Sequence, residues 1–239
     1  MPDLSDDTLQ RQIVLASSSP RRRLLLGRLG VPFTVRISDL DEAMTAPATA
    51  AAYVESLARQ KAEIVAWEAA PGAGTAGDPE HGEHASNPLV IGADTVVSLD
   101  GDILGKPADA DGAKTMLKRL RDRDHEVLTA VALVDTATRT TVSRVVTTVV
   151  HMHPFDDETL AAYIATGEPL DKAGGYGIQR GTRLIVAGFT GCYTNVVGLP
   201  LCEVAALLED AGLVLPVSPP YCHLPNGEPC PHEIAMTMR

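Results

Sequence analysis

Short apolar, β-branched runs alternate along this chain with segments whose apolar residues recur at helical spacing. The runs that predict strands are residues 13–16, 31–37, 90–98, 127–134, 141–152 and 184–186. The run at 90–98 is mostly apolar and is bounded by Pro88 and by Asp100-Gly101. This pattern is typical of a strand that is buried on both faces.

Helical spacing and capping residues predict five helices among these strands. The helices are expected to begin at Pro20 behind a Ser19 cap, at Ala48, after Asp109, at Asp156 and near Pro200. The alternation predicts an α/β protein, with its domain at residues 13–212. Residues 71–88 are predicted to form a flexible insertion. Residues 1–12 and 213–239 are predicted tails, and the Pro-rich second tail is expected to be irregular.

Composition narrows the class of protein. The chain has 239 residues, 45% of them hydrophobic, and a formal net charge of −11. That charge argues against nucleic acid as a partner, because phosphates need a basic surface. No apolar run reaches the roughly 18 residues of a membrane span. Residues 1–12 lack the order of a signal peptide, and four cysteines do not make a disulfide scaffold, so a cytoplasmic protein is expected.

The first predicted helix begins beside polar groups that suit an anion. Residues 17–19 are serines, Ser19 is a good N-cap and Pro20 suits the first helical position. Residues 21–23 are arginines, although basic residues usually complement the other end of a helix. The segment therefore predicts a phosphate-binding site rather than a solvated basic face.

The predicted central strand carries a carboxylate, Asp94, that is costly to bury without a cation or hydrogen bonds. Lys61 falls on the apolar stripe of the second helix, so it either extends outward or points into a cleft. Lys106 returns from a tight turn after that strand. Cationic groups combined with carboxylates suit metal-assisted phosphoryl chemistry.

The four cysteines fall into two pairs. Cys192 and Cys202 are expected to be small buried side chains. Cys222 and Cys230 lie in the Pro-rich tail, each near a histidine. Cysteine and histidine are zinc ligands, but no C-x-x-C pair is present, so the sequence does not favour a zinc site.

Five segments, in order, resemble the Maf family of nucleoside triphosphate pyrophosphatases. They are L-A-S-S-S-P-R-R at 15–22, I-G-A-D-T-V-V at 91–97, G-K-P at 105–107, G-E-P-L-D-K-A-G with Y-G-I-Q within 167–179, and N-V-V-G-L-P-L at 195–201. The resemblance covers the chain from about Ile13 to Leu208. It implies an elongated, inosine-triphosphatase-like α/β fold with a mixed central sheet, two lobes around a cleft and a homodimer.

The resemblance also implies hydrolysis between the α and β phosphates with Mg²⁺ or Mn²⁺. By that resemblance Asp94 is the catalytic proton acceptor, and the metal is held by Glu42 and Asp94. The residues expected to hold the triphosphate are Ser17, Arg21, Arg22, Lys61 and Lys106, of which Lys106 is also placed in catalysis. Arg21, Thr95 and Gln179 match the marks of the branch that acts on dTTP and UTP. The alternatives are the same chemistry on methylated GTP, or a nucleotide-binding regulator of septum formation.

Overall fold

A computed structural model describes residues 11–38, 40, 49–68, 87–178 and 184–237. Two predicted site residues, Glu42 and Gln179, lie outside this part of the chain, as does most of the predicted insertion at 71–88.

One mixed sheet of seven strands organises the described residues. The strands are β1 (Ile13–Ala16), β2 (Phe33–Arg36), β3 (Leu89–Leu99), β4 (Asp102–Leu104), β5 (Asp124–Asp135), β6 (Thr140–Met152) and β7 (Val186–Thr190). Their order is β2-β1-β3-β5-β6-β7, and β4 pairs with the far end of β3. β1 is parallel to β2 and β3, whereas the β3, β5, β6 and β7 neighbours are antiparallel. The mixed α/β fold is as expected from the sequence.

Helices cover both faces of this sheet. They are α1 (Pro20–Leu26), α2 (Ala50–Glu68), α3 (Ala110–Leu120), α4 (Asp157–Ala165), α5 (Tyr193–Val197), α6 (Leu201–Asp210) and α7 (Pro231–Thr237). Alternate residues of β1 and β3 enter different cores: Leu15 and Ile91 pack with α1 and α6, while Val14 and Val90 pack with α2. This alternation follows from the two-residue period of a strand. A third core joins the far end of β3 to α3 and α4.

The edge of β3 changes partner along its length. Residues 89–92 pair with β1, and residues 97–99 pair with β4. Within the described ranges, no strand is paired to residues 93–96 on that edge. The interruption opens a cleft between the lobe that contains α1 and the lobe that contains α3.

Three predicted elements differ from the structure. The strand expected at 184–186 lies later, at Val186–Thr190, because its pairing with β6 sets its position. The loop expected at 195–200 begins in helix α5. The tail after Leu215, expected to be irregular, contains α7 and two cysteines that are fully buried against the main core. The extent of the domain, 13–212, stays a prediction.

Candidate active site

The cleft at the interrupted edge of β3 contains a cavity of about 710 Å³. Its lining comes from the start of α1, the inner face of α2, the middle of β3, the turn after β4, residues 171–178 and the end of α5. Because both lobes contribute, the cavity depends on tertiary packing rather than on one segment.

Asp94 lies on the α2 side of β3 and forms an ion pair with Lys61. The Nζ atom of Lys61 is 2.6 Å from Oδ1 of Asp94, and each side chain is 12% exposed. Lys61 therefore points into the cleft, as one of the two sequence interpretations expected. The pair accounts for the buried carboxylate, since a cation and hydrogen bond offset the loss of water.

Gly92 is the reason that α2 comes close enough to form this pair. A Cβ atom at residue 92 would lie 2.2 Å from the carbonyl oxygen of Ala58 and 2.8 Å from the backbone nitrogen of Ala62. Gly92 and Asp94 point to the same face because strand side chains alternate. Lys61 and Ala58 share a helix face at i, i+3 spacing. The missing side chain at Gly92 thus allows the contact between Lys61 and Asp94.

Thr95 points to the opposite face of β3, where it meets the first helix. Nη2 of Arg22 donates to Thr95 Oγ1 at 3.1 Å, and Nε donates to the carbonyl oxygen of Gly198 at 2.9 Å. Nη1 lies 3.3 Å from Oγ of Ser17. Arg22 therefore joins α1, β3 and the end of α5.

The start of α1 has the local structure that the sequence predicts. Ser19 is the N-cap, and its Oγ accepts from the backbone N–H of Arg22 at 3.4 Å. Oγ of Ser17 accepts from the backbone N–H of Ser19 at 3.2 Å. These bonds fix the two serines at the end of β1, where the chain turns into the cleft.

The remaining cationic residues come from opposite sides of the cavity. Nη1 of Arg21 contacts Oδ2 of Asp171 at 2.9 Å, which bridges the two lobes. Nζ of Lys172 contacts the neighbouring Oδ1 of Asp171 at 2.7 Å. Lys106 is exposed and follows Gly105, whose carbonyl oxygen accepts from the backbone N–H of Gly174 at 3.0 Å.

A buried pair supports the loop on the α3 side. Nε2 of His125 lies 2.5 Å from the hydroxyl oxygen of Tyr176. Burial lowers the pKa of His125 to about 4, because a charged imidazole would lose its hydration. His125 is therefore neutral at pH 7, and Tyr176 holds the loop against β5.

The structure brings seven predicted residues to one cavity. They are Ser17, Arg21, Arg22, Lys61, Asp94, Thr95 and Lys106. Their roles in binding and catalysis stay predictions, as do those of Glu42 and Gln179.

Sequence reasoning missed the polar network that supports Thr95. Oγ1 of Thr95 is 3.0 Å from Oγ1 of Thr129, which donates to the carbonyl oxygen of Asn195 at 2.9 Å. The Asn195 amide donates to the carbonyl oxygen of Val127 and to Oγ1 of Thr148, both at 2.9 Å. A threonine within the predicted strand at 127–134 was the available signal. Its partner could not be known from the sequence.

Comparison with known proteins assigns the family. A profile described as Maf-like protein matches residues 12–211, and the chain belongs to the Maf family. The expected family membership is confirmed.

Relatives match most of the chain. A protein of Myxococcus xanthus named dTTP/UTP pyrophosphatase is 47% identical, with 89% of this chain and 97% of the relative covered. A protein with the same name from Pelotomaculum thermopropionicum is 44% identical, with 84% of this chain and 97% of the relative covered. Another from Salinibacter ruber is 46% identical, with 79% of this chain and 85% of the relative covered. The solved Ham1 protein of Staphylococcus aureus aligns with a TM-score of 0.42 at 14% identity, covering 84% of this chain and 99% of that one.

Across the described ranges, no helix has the length and apolar character needed to cross a membrane.

Proposed function

We propose that this protein is a nucleoside triphosphate pyrophosphatase that hydrolyses dTTP and UTP to the nucleoside monophosphate and pyrophosphate. The observation that carries the proposal is the Lys61–Asp94 pair at 2.6 Å on the wall of a cavity that is also lined by Arg21 and Lys106. The names of the relatives support the choice of dTTP and UTP.

In this proposal Asp94 accepts a proton from the water that attacks the α-phosphorus, and pyrophosphate is the leaving group. Lys61 holds one carboxylate oxygen of Asp94 and so fixes its orientation. Lys106 and Arg21 neutralise charge that builds on the phosphate oxygens, because preorganised cations stabilise such charge better than water does. Binding of the triphosphate would draw Arg21 away from Asp171.

Arg22 and Thr95 act together in this proposal. The Arg22 guanidinium donates to Ser17, Thr95 and the Gly198 carbonyl oxygen, so it positions Thr95 and the Gly198 loop in addition to facing the phosphates. Thr95 Oγ1 is oriented by Arg22 and Thr129 and lines the cavity. A hydroxyl with a fixed orientation can distinguish nucleobases by their hydrogen-bonding edges.

A divalent cation fits the residues that line the cavity. Mg²⁺ prefers oxygen ligands and is usually held by one or two carboxylates together with substrate phosphates. Asp94 supplies such a carboxylate, and Glu42 is proposed as the second. When bound, Mg²⁺ or Mn²⁺ would neutralise phosphate charge as a Lewis acid. A homodimer and a cytoplasmic location remain proposals that rest on the family resemblance and on composition.

A panel of nucleotides tests the function. The purified protein is incubated with Mg²⁺ or Mn²⁺ and each of the common, deoxy and methylated triphosphates, and pyrophosphate and nucleoside monophosphate are measured. Turnover of dTTP and UTP is expected to exceed that of purine nucleotides. Release of orthophosphate with a nucleoside diphosphate would contradict cleavage between the α and β phosphates. Preferred turnover of methylated GTP would replace the proposed substrate, and binding of intact triphosphate without turnover would indicate a regulator.

A further inference from the structure

The four cysteines of the chain come from separate segments and meet in one buried cluster. Cys192 is the N-cap of α5, Cys202 lies in the first turn of α6, and Cys222 and Cys230 flank a turn before α7. The Sγ atoms of Cys192, Cys222 and Cys230 all lie within 4.8 Å of one another. Cys202 is 3% exposed and is buried in the same apolar core as the other three cysteines.

The spacing of the sulfur atoms fits metal coordination better than a disulfide. The Sγ atoms of Cys192 and Cys222 are 3.6 Å apart, whereas a disulfide needs about 2.0 Å. Zinc–thiolate bonds of about 2.3 Å place the sulfurs of a tetrahedral site roughly 3.8 Å apart. Soft thiolates select Zn²⁺ over the hard cations that suit the nucleotide cavity.

The two histidines of the segment are not needed as ligands. His223 is exposed, and its bridge to Pro229 is made by the backbone. Nε2 of His232 lies 2.9 Å from a carboxylate oxygen of Glu203. The geometry therefore groups three thiols, with Cys202 buried in the same core as the candidate fourth ligand, rather than the two cysteines and two histidines that the tail sequence suggests.

Hydrogen bonds around the thiols fix the ligands in place. Oγ1 of Thr194 lies 3.1 Å from Sγ of Cys222 and 3.3 Å from Sγ of Cys192. The backbone N–H of Cys230 donates to the carbonyl oxygen of Cys222 at 2.9 Å, which closes the turn between them. The Glu233 carboxylate accepts from the backbone N–H of Cys222 at 2.8 Å. Such outer contacts orient the ligands of a metal site.

The segment that supplies Cys222 and Cys230 buries little else. Between residues 213 and 230, the buried apolar residues are Leu215, Cys222 and Cys230, and Leu213 and Tyr221 pack partly buried against the same core. Ordering these residues costs conformational entropy, and the segment has few buried apolar side chains to offset it. A cross-link at the cysteines would supply the missing stabilisation, because metal binding is coupled to folding.

We propose that Cys192, Cys202, Cys222 and Cys230 bind one structural Zn²⁺ that fastens residues 213–237 to α5 and α6. Binding of Zn²⁺ displaces the proton of each thiol and leaves a four-coordinate site with no open position, which suits structure rather than catalysis. The site is separate from the nucleotide cavity, whose lining includes none of the four cysteines. α5 connects the two, since its C-terminal end lies beside Arg22.

Metal analysis of the untagged full-length protein tests the proposal. We expect one zinc per chain, retained during dialysis against a weak chelator and released when a mercurial reagent blocks the thiols. Cys222→Ser and Cys230→Ser are expected to lose the metal, and His223→Ala, which removes an exposed potential ligand from the same turn, is the matched control that keeps it. If the serine variants fail to fold, substitution of Co²⁺ into the wild-type chain still gives a readout, since four thiolates produce characteristic charge-transfer and ligand-field bands.

Several results would overturn the proposal. They are a wild-type chain that binds no zinc after refolding with Zn²⁺, a disulfide between Cys192 and Cys222, zinc that persists in both serine variants, or a Co²⁺ spectrum without thiolate bands. None of these outcomes depends on nucleotide turnover, so the zinc site and the proposed activity can fail independently.

Discussion

Replacement of Gly92 by alanine is expected to damage both stability and the candidate active site. The new Cβ would lie 2.2 Å from the carbonyl oxygen of Ala58, whereas an ordinary contact needs about 3.5 Å. Helix α2 must therefore move by roughly 1 Å. The obstructing atom belongs to the backbone, so a change of rotamer cannot relieve the clash. Overpacking of this kind costs about 1–3 kcal/mol.

The same displacement acts on the proposed chemistry. Lys61 is on the helix that must move, and Asp94 is two residues beyond Gly92 on the same face of β3. The 2.6 Å contact between them would lengthen. A displacement of about 1 Å in a catalytic arrangement can reduce the rate by about 100-fold.

Urea denaturation and pyrophosphate release are the two measurements. Gly188→Ala is the matched control, because Gly188 is also in a strand and a Cβ there would have no neighbour within 4 Å. The control should keep near wild-type stability and turnover. A Gly92→Ala variant with the stability and kcat of the wild type would refute the close-approach argument.

Three further predictions concern Asp94, its partner Lys61 and the buried His125. Asp94→Asn should abolish turnover while calorimetry still detects nucleotide binding; retained turnover would remove Asp94 from the role of base. Lys61→Met should destabilise the fold by about 3 kcal/mol because it leaves a buried carboxylate unpaired. Adding Asp94→Asn should restore part of the lost stability. Strictly additive changes in the free energy of unfolding across the double-mutant cycle would contradict the coupling. The pKa of His125 is lowered by burial from 6.5 to about 4, so only the unfolded chain takes up a proton between these pH values. The contribution of neutral His125 to the free energy of unfolding is therefore fully present above pH 6.5, and stability falls by about 3 kcal/mol as pH drops to 4. A His125→Gln variant whose stability had the same pH dependence as the wild type would exclude this cause.

Much of the local structure could be predicted because its causes are local. The cap at Ser19, the first-turn Pro20 and the cap at Asp109 are properties of short segments, and the structure has them at those residues. The buried character of residues 90–98 was also predicted, since most positions of β3 are apolar. The apolar stripe of α2 was sufficient to place Lys61 near a core face.

Elements whose stability depends on distant contacts were misplaced. Helix α5 is short and rich in β-branched residues, which are poor helix formers. Its polar residue Asn195 is buried and bonded to β5 and β6, and these contacts stabilise the helix. β7 contains Gly188, and its limits are set by the β6 register, which shifts at His151/Met152. No pattern within these segments contains that information.

The sequence by itself determined the alternation of strands and helices, the family, and a set of residues with the chemistry to bind a triphosphate. Only the tertiary structure decided that Asp94 pairs with Lys61, that Thr95 faces the other way toward Arg22, and that four scattered cysteines share one core. The reason is physical: caps and periodicity depend on neighbours a few residues apart. The cavity and the thiol cluster instead depend on backbones that approach each other across the fold, as α2 approaches β3 at Gly92.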